Sequence, residues 1–183
     1  MKRVLKPFFL AAATVTLLGG CASMTPEECL SADWYQQGLH DGGRGQSMAL
    51  VEEHREACAK VGVEVDINRY RAGREEGLRT YCTPSVGFDE GLRGRYYSNV
   101  CAPALERTFL DSYRQGRRIY EAQQRVDSLK NDLNSKQYAL ERAKDDDSRA
   151  RIRRQMRDLD DSLRRARDDL YYAERAARDY RSY

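Results

Sequence analysis

This chain is organised around the stretch Tyr70-Arg71-Ala72-Gly73-Arg74-Glu75-Glu76-Gly77. Residues three or four apart lie on one face of a helix, so Tyr70, Gly73 and Gly77 are side by side if this stretch is helical. Glycine inside a helix costs about 1 kcal/mol relative to alanine. Its use at two successive turns therefore indicates that another element packs closely against this face.

The same pattern, an aromatic residue followed three positions later by glycine, recurs along residues 31–118. Its unequal spacing argues against a solenoid with a fixed period. We expect a small helical domain whose aromatic and glycine side forms a candidate interaction surface. The residues of this surface are Tyr35, Gly38, Tyr70, Gly73, Gly77, Phe88, Gly91, Tyr113 and Gly116.

Helix boundaries in this domain follow from capping residues and helix breakers. Ser31, Ser47 and Asp66 are candidate starts, and the pair Thr83-Pro84 is expected to end the third helix. A further short turn or helix is predicted from Phe88 to Gly94, and Pro103 is a favourable first helical residue. No stretch alternates clearly enough to predict a strand.

The C-terminal part, residues 119–183, lacks proline and glycine and carries two heptad patterns. The pattern predicts two long helices with a turn at residues 145–148, folded into an antiparallel coiled-coil hairpin. Its first seam consists of Ile119, Ala122, Val126, Leu129, Leu133, Lys136, Leu140 and Ala143. The second consists of Ile152, Met156, Leu159, Leu163, Ala166, Leu170, Ala173, Ala177 and Tyr180. The sequence does not decide whether this arm projects from the rest of the chain, packs back on it or pairs with a second copy.

The N-terminus has the features of a bacterial lipoprotein signal. Three cations precede an apolar run, which ends in Leu18-Gly19-Gly20-Cys21. We expect residues 1–20 to be cleaved, Cys21 to be lipidated and residues 21–30 to form a short anchored tether. Because Ala22 and Ser23 follow Cys21 instead of aspartate, we expect the outer membrane, facing the periplasm, as the location.

Signal removal also changes the charge balance. Loss of Lys2, Arg3 and Lys6 lowers the basic residues from 32 to 29, against 29 acidic residues. The mature chain is then formally neutral, which gives no reason to expect nucleic acid as a partner.

Four further cysteines, Cys29, Cys58, Cys82 and Cys101, lie in the first half of the mature chain. An even number of thiols in an oxidising compartment is typical of disulfides, and three pairings are available. The most local pairing is Cys29–Cys58 with Cys82–Cys101. Zinc binding is the alternative, because His54 and Cys58 are four apart, but too few further ligands stand at metal-site spacing.

The first half of the mature chain resembles a domain-of-unknown-function family of proteobacterial lipoproteins over about residues 21–130. The resemblance rests on Cys29 to Gly42, on His54 with Cys58, on Tyr70 to Cys82 and on Gly87 to Cys101. It implies an envelope location and a shared fold, and it brings no established activity.

No catalytic motif or cofactor site is recognisable, so we expect neither an enzyme nor a cofactor. The nearest candidates are His40 beside Asp41, His54 beside Glu52 and Glu53, and Asp33 beside Trp34. A hydrolase would need a cleft that unites His40 or His54 with carboxylates.

We therefore expect a disulfide-stapled, all-α, lipid-anchored envelope protein that acts as an adaptor. Residues 119–183 would bind a protein partner or a second copy. The alternative is a small module that binds a glycan or lipid fragment on its aromatic and glycine surface.

Overall fold

The computed structural model describes residues 23–181, and their side chains to residue 178. The proposed signal residues 1–20 and Cys21 lie outside this range. The described chain contains seven helices and no strand, which confirms the all-α prediction. They are α1 (Pro26–Leu30), α2 (Trp34–Gly43), α3 (Leu50–Ala59), α4 (Ile67–Tyr81), α5 (Pro84–Leu92), α6 (Pro103–Arg142) and α7 (Asp146–Arg181).

Side-chain caps fix most helix starts. Asp66 accepts a hydrogen bond from the Arg69 amide and Thr83 accepts one from the Val86 amide, as expected of capping residues. Asp33, rather than Ser31, caps α2, because its carboxylate accepts from the amides of Tyr35 and Gln36.

Three further features of the helices differ from the sequence prediction. A helix at residues 26–30 was not predicted, although Thr25 and Glu28 form a capping box at its start. The second helix was expected from Ser47 to Gly62 but extends only from Leu50 to Ala59. The helix around Phe88 begins at Pro84, which occupies the first helical position behind the Thr83 cap.

Unit 1, residues 23–81, is built on a parallel pair of helices. Gly38 and Gly42 of α2 lie against the backbone carbonyls of Tyr70 and Arg74 in α4. Since the contacts advance along both helices together, α2 and α4 point the same way. The connection through α3 returns the chain to the starting end.

Unit 2, residues 82–120, repeats this arrangement with α5 and the first part of α6. Gly87 and Gly91 lie against the carbonyls of Phe109 and Tyr113, and Gly116 lies against that of Phe88. The return connection, residues 93–102, contains no helix. The two units therefore share one contact plan despite different connection lengths.

A positive-φ glycine follows the first helix of each pair and is covered by a tyrosine ring. Gly45 (φ 68°) lies under Tyr81, and Gly94 (φ 70°) lies under Tyr120. Both positions require glycine, because a side chain would be strained at this φ and would overlap the ring.

A disulfide ties the starting ends of each helix pair. Cys29–Cys58 closes unit 1 and Cys82–Cys101 closes unit 2, with Cα–Cα distances of 5.3 and 5.6 Å. This is the most local of the three pairings open to the sequence. Disulfides of this kind form outside the reducing cytoplasm.

Helices α6 and α7 form the antiparallel hairpin, in which Val126, Leu163 and Ala166 are buried together. The Asp145 carboxylate caps α7 by accepting from the Ser148 amide. None of the helices within residues 23–181 combines the length and the apolar composition of a membrane-spanning segment.

Candidate functional site

The most unusual feature of the described chain is a carboxylate, Asp41, buried in unit 1 with only 3% of its surface exposed. It lies in the last turn of α2, where the close approach of α4 excludes water. A buried charge is costly unless hydrogen bonds compensate for the lost water.

Four side chains supply this compensation. His54 Nε2 lies 2.9 Å from Asp41 Oδ2, and the Tyr70 hydroxyl donates to the same oxygen at 3.0 Å. The Gln37 amide donates to both oxygens, and His40 Nδ1 lies 3.2 Å from Oδ1.

The electrostatics follow from these contacts. Burial acts to raise the pKa of Asp41, but the hydrogen bonds from His54, Tyr70, His40 and Gln37 outweigh it and hold the pKa below its ordinary value. Burial and the neighbouring Asp41 charge raise the pKa of Tyr70, so its hydroxyl keeps its proton. Asp41 is therefore a carboxylate that accepts from all four groups.

The second imidazole nitrogen of His54 points to the N-terminal segment. His54 Nδ1 lies 2.9 Å from Ser23 Oγ, although the two residues are 31 positions apart. Because the ionised Asp41 needs a proton on Nε2, a neutral ring has Nδ1 free to accept from the Ser23 hydroxyl. We define Asp41, His54, Tyr70 and Ser23 as the Asp–His cluster.

Unit 2 shows which parts of this cluster the fold does not need. The position of Asp41 is occupied by Glu90, whose carboxylate accepts from Arg95 at 3.0 Å. Phe109 stands in place of Tyr70. Tyr97, four residues before its disulfide cysteine as His54 is before Cys58, packs on Phe109 with ring centroids 4.8 Å apart. The same helix pair thus forms without an Asp–His pair, which makes the cluster the candidate functional site.

The predicted candidates are distributed differently from the sequence expectation. Both histidines contact Asp41, so the structure unites them with a carboxylate, but His54 does not contact Glu52 or Glu53 by any hydrogen bond within the described range. Asp33 caps α2 and pairs with Arg69 at 3.1 Å, and Trp34 is a core residue. Cys58 is in a disulfide, so it and His54 do not form a metal pair.

Sequence reasoning missed Asp41 as the centre of the cluster and Ser23 as its outer member. Two sequence features could have pointed to the cluster. Asp41 is the acidic residue within the turn that carries Gly38 and Gly42, and His54 lies one turn before a disulfide cysteine. Ser23 has no signal of its own, because its contact spans 31 residues.

The expected interaction surface is largely internal. Gly38, Gly73 and Gly87 each lie against a backbone carbonyl of the partner helix. Tyr70 is fully buried. The aromatic and glycine pattern that led the sequence to predict an interaction surface is explained by close helix packing. A ligand on that surface would have to displace a packed helix.

The arm, which we define as residues 119–183, presents a different surface. Tyr138 is 61% exposed. Arg153, Arg154 and Arg157 are exposed on α7 and make no ion pair within the described part of the chain. Between Arg149 and Arg157 there is no acidic residue.

Among curated proteins and solved structures, none matches the chain significantly. One protein family matches residues 33–118, and it is described as a protein of unknown function (DUF2799). The matched range begins at the cap of α2 and ends within α6, just before the arm, so it covers both glycine-packed helix pairs and none of the arm. Through residues 33–118, the chain is therefore similar to this family of unknown function.

Proposed function

We propose that this protein is a non-catalytic, lipid-anchored adaptor of the cell envelope. In this proposal Cys21 carries the lipid in the outer membrane, and the arm binds a protein partner in the periplasm. The lipoprotein signal that ends in Leu18-Gly19-Gly20-Cys21 supports the anchor, and the two disulfides support an oxidising compartment.

The observation that carries the proposal is the continuity of α6. This helix is the second helix of unit 2 and the first helix of the arm, with no proline or glycine after Gly116. From Tyr120, which covers Gly94, to Arg142 it extends roughly 33 Å at 1.5 Å per residue. A joint of this kind holds the arm in a fixed direction relative to the stapled units.

The surface of the arm suits a binding role. Its apolar seam is closed by α7, whereas Tyr138 and the exposed side chains of Arg153, Arg154 and Arg157 face outward. Tyrosine and arginine are the residues that most often dominate binding energy in protein interfaces.

The test is photo-crosslinking in intact cells from exposed positions. A benzoyl-phenylalanine side chain would replace Tyr138, Lys130, Arg142 or Arg157 on the arm, one at a time. Tyr96, 83% exposed in the connection of unit 2, is the matched control, because it is also a tyrosine and lies outside the arm. Adducts would be identified by mass spectrometry.

One recurrent envelope protein linked to the arm positions but not to position 96 would support the adaptor. Adducts with a second copy of the chain would make the arm an oligomerisation element. Adducts with a partner from position 96 alone would contradict the proposal.

A further inference from the structure

The segment that precedes α2 is fastened to unit 1 at three points. Ser23 Oγ contacts His54 Nδ1 at 2.9 Å, Met24 is buried with its sulfur 4.0 Å from Cys58 Sγ, and Cys29 is bonded to Cys58. All three attachments are made to α3. Residues 23–29 are therefore part of the fold of unit 1.

His54 makes the attachment to Ser23, and a second contact holds the opposite side of its imidazole ring. Its side chain is 2% exposed, and Asp41 fixes the ring orientation through Nε2. The equivalent residue in unit 2, Tyr97, instead directs its hydroxyl to Glu106 at 3.0 Å. The imidazole is thus specific to the unit that carries the N-terminal segment.

Chain length then limits how far an anchor at Cys21 can lie from the fold. Two residues span at most about 7 Å when fully extended. A lipid on Cys21 would therefore hold the face around Ser23 at the membrane surface. Leu30, which ends α1 next to Cys29, is 69% exposed and supplies an apolar side chain on this segment.

We infer that the Asp41–His54 pair positions the N-terminal segment so that unit 1 lies directly on the bilayer, with Leu30 in the lipid interface. This inference rests on the proposed lipid anchor. Asp41 and His54 act as positioning residues: Asp41 orients the imidazole, and the imidazole holds Ser23. The arm is then oriented relative to the membrane as well as to the units.

The first measurement tests the membrane contact. Acylated full-length protein in phosphatidylethanolamine and phosphatidylglycerol vesicles would carry Leu30→Trp, with Tyr96→Trp as the exposed control. Brominated lipids quench tryptophan fluorescence by contact, and the unaltered chain gives the contribution of its single native tryptophan, Trp34. We expect quenching at position 30 to exceed that at position 96 at least twofold.

The second measurement tests the cluster. Hydrogen exchange of residues 23–28 would be compared among the unaltered chain, Ser23→Ala, His54→Ala and His40→Gln. Loss of one hydrogen bond predicts exchange about five- to tenfold faster in the first two variants. His40→Gln is the matched control, because His40 also contacts Asp41 but is half exposed and does not touch Ser23.

Ser23→Ala leaves the buried pair intact, so it keeps the test decisive if His54→Ala does not fold. Equal quenching at positions 30 and 96, or unchanged exchange in Ser23→Ala, would overturn the inference. So would labelling of Ser23 by a fluorophosphonate probe, because that would make the serine a nucleophile. The mass of the Cys21 peptide reports separately on lipidation, so failure of the anchor is distinguished from failure of the positioning role.

Discussion

Asp41 illustrates how a single residue can be buried as a charge. Its two oxygens accept hydrogen bonds from Gln37, His40, His54 and Tyr70, so no buried lone pair depends on water. Such a group stabilises the fold only while all its donors remain, because removal of one leaves a desolvated acceptor.

Replacement of Tyr70 by phenylalanine isolates one of these donors. The ring fits, since phenylalanine occupies the equivalent position 109, but the hydrogen bond to the carboxylate is lost. We expect the free energy of unfolding to fall by about 1.5–3 kcal/mol, as measured by urea unfolding with the disulfides intact.

The matched control is Tyr120→Phe, because the Tyr120 hydroxyl makes no hydrogen bond in the described range. A change of about 0.5 kcal/mol or less is expected there. Equal losses in both variants would show that the Asp41 contact contributes nothing specific.

The lowered pKa of Asp41 makes stability depend on pH. The folded-state pKa lies below the ordinary value of 3.8, so this contribution is complete above that value and is lost as pH falls through the folded pKa. We expect the stability difference between the unaltered chain and Asp41→Asn to be constant near neutral pH and to shrink below about pH 4. Chemical unfolding at a series of pH values measures it, and a difference that grows on acidification would contradict the assignment.

At the scale of elements, two parallel helix pairs determine the architecture of residues 23–120. Parallel helices need a connection that returns to the starting end, and this return separates the paired motifs by different distances in the two units. Glycine at the contact lets the two helix backbones approach closely, and the packing gained in this way offsets the cost of glycine in helix propensity.

Two adjacent glycines in α2 test this packing. A β-carbon at Gly42 would overlap the Arg74 carbonyl, whereas at Gly43 the nearest atom is Thr80 Oγ1 at 3.8 Å. We expect Gly42→Ala to lower the free energy of unfolding by about 3 kcal/mol or more, since backbone must move. Gly43→Ala should raise it by up to about 1 kcal/mol through helix propensity.

Thermal or urea unfolding distinguishes the two glycine variants. If Gly42→Ala were as stable as Gly43→Ala, the close approach of α2 and α4 would be wrong.

At the scale of the whole molecule, α6 couples unit 2 to the arm. The buried cluster of Tyr81, Cys82, Tyr97, Cys101 and Phe109 joins the end of α4 to α6, so unit 1 is linked through unit 2 to the helix that continues into the arm. Loss of packing near the start of α6 should therefore lower the local stability of the arm.

Gly91→Ala in unit 2 and Gly38→Ala in unit 1 are matched, because each added β-carbon would overlap a backbone carbonyl of the partner helix. We expect Gly91→Ala to accelerate hydrogen exchange in residues 121–142, and Gly38→Ala to leave it near that of the unaltered chain. Exchange mass spectrometry on peptides of α6 measures this. Equal effects of the two variants on the arm would contradict the coupling.

Much of this architecture was readable from local patterns. Asp66 and Pro103 mark helix starts where the sequence predicts them, and the heptads from Ile119 to Ala177 predict which side of each arm helix is covered. Ser31 failed as a cap because Asp33, two residues later, offers a carboxylate to the amides of α2. Competition between neighbouring caps is settled by geometry that the sequence does not show.

The all-α class, the long hairpin and its turn could be predicted from sequence, because they depend on interactions between residues close in the chain. The repeated glycines also predicted close packing correctly. The sequence could not predict that each glycine lies against the backbone of a partner helix, that the two units share one plan, or that Asp41, His54 and Ser23 meet. Those contacts join residues far apart in the chain, and their geometry is set by how whole helices pack rather than by any local preference.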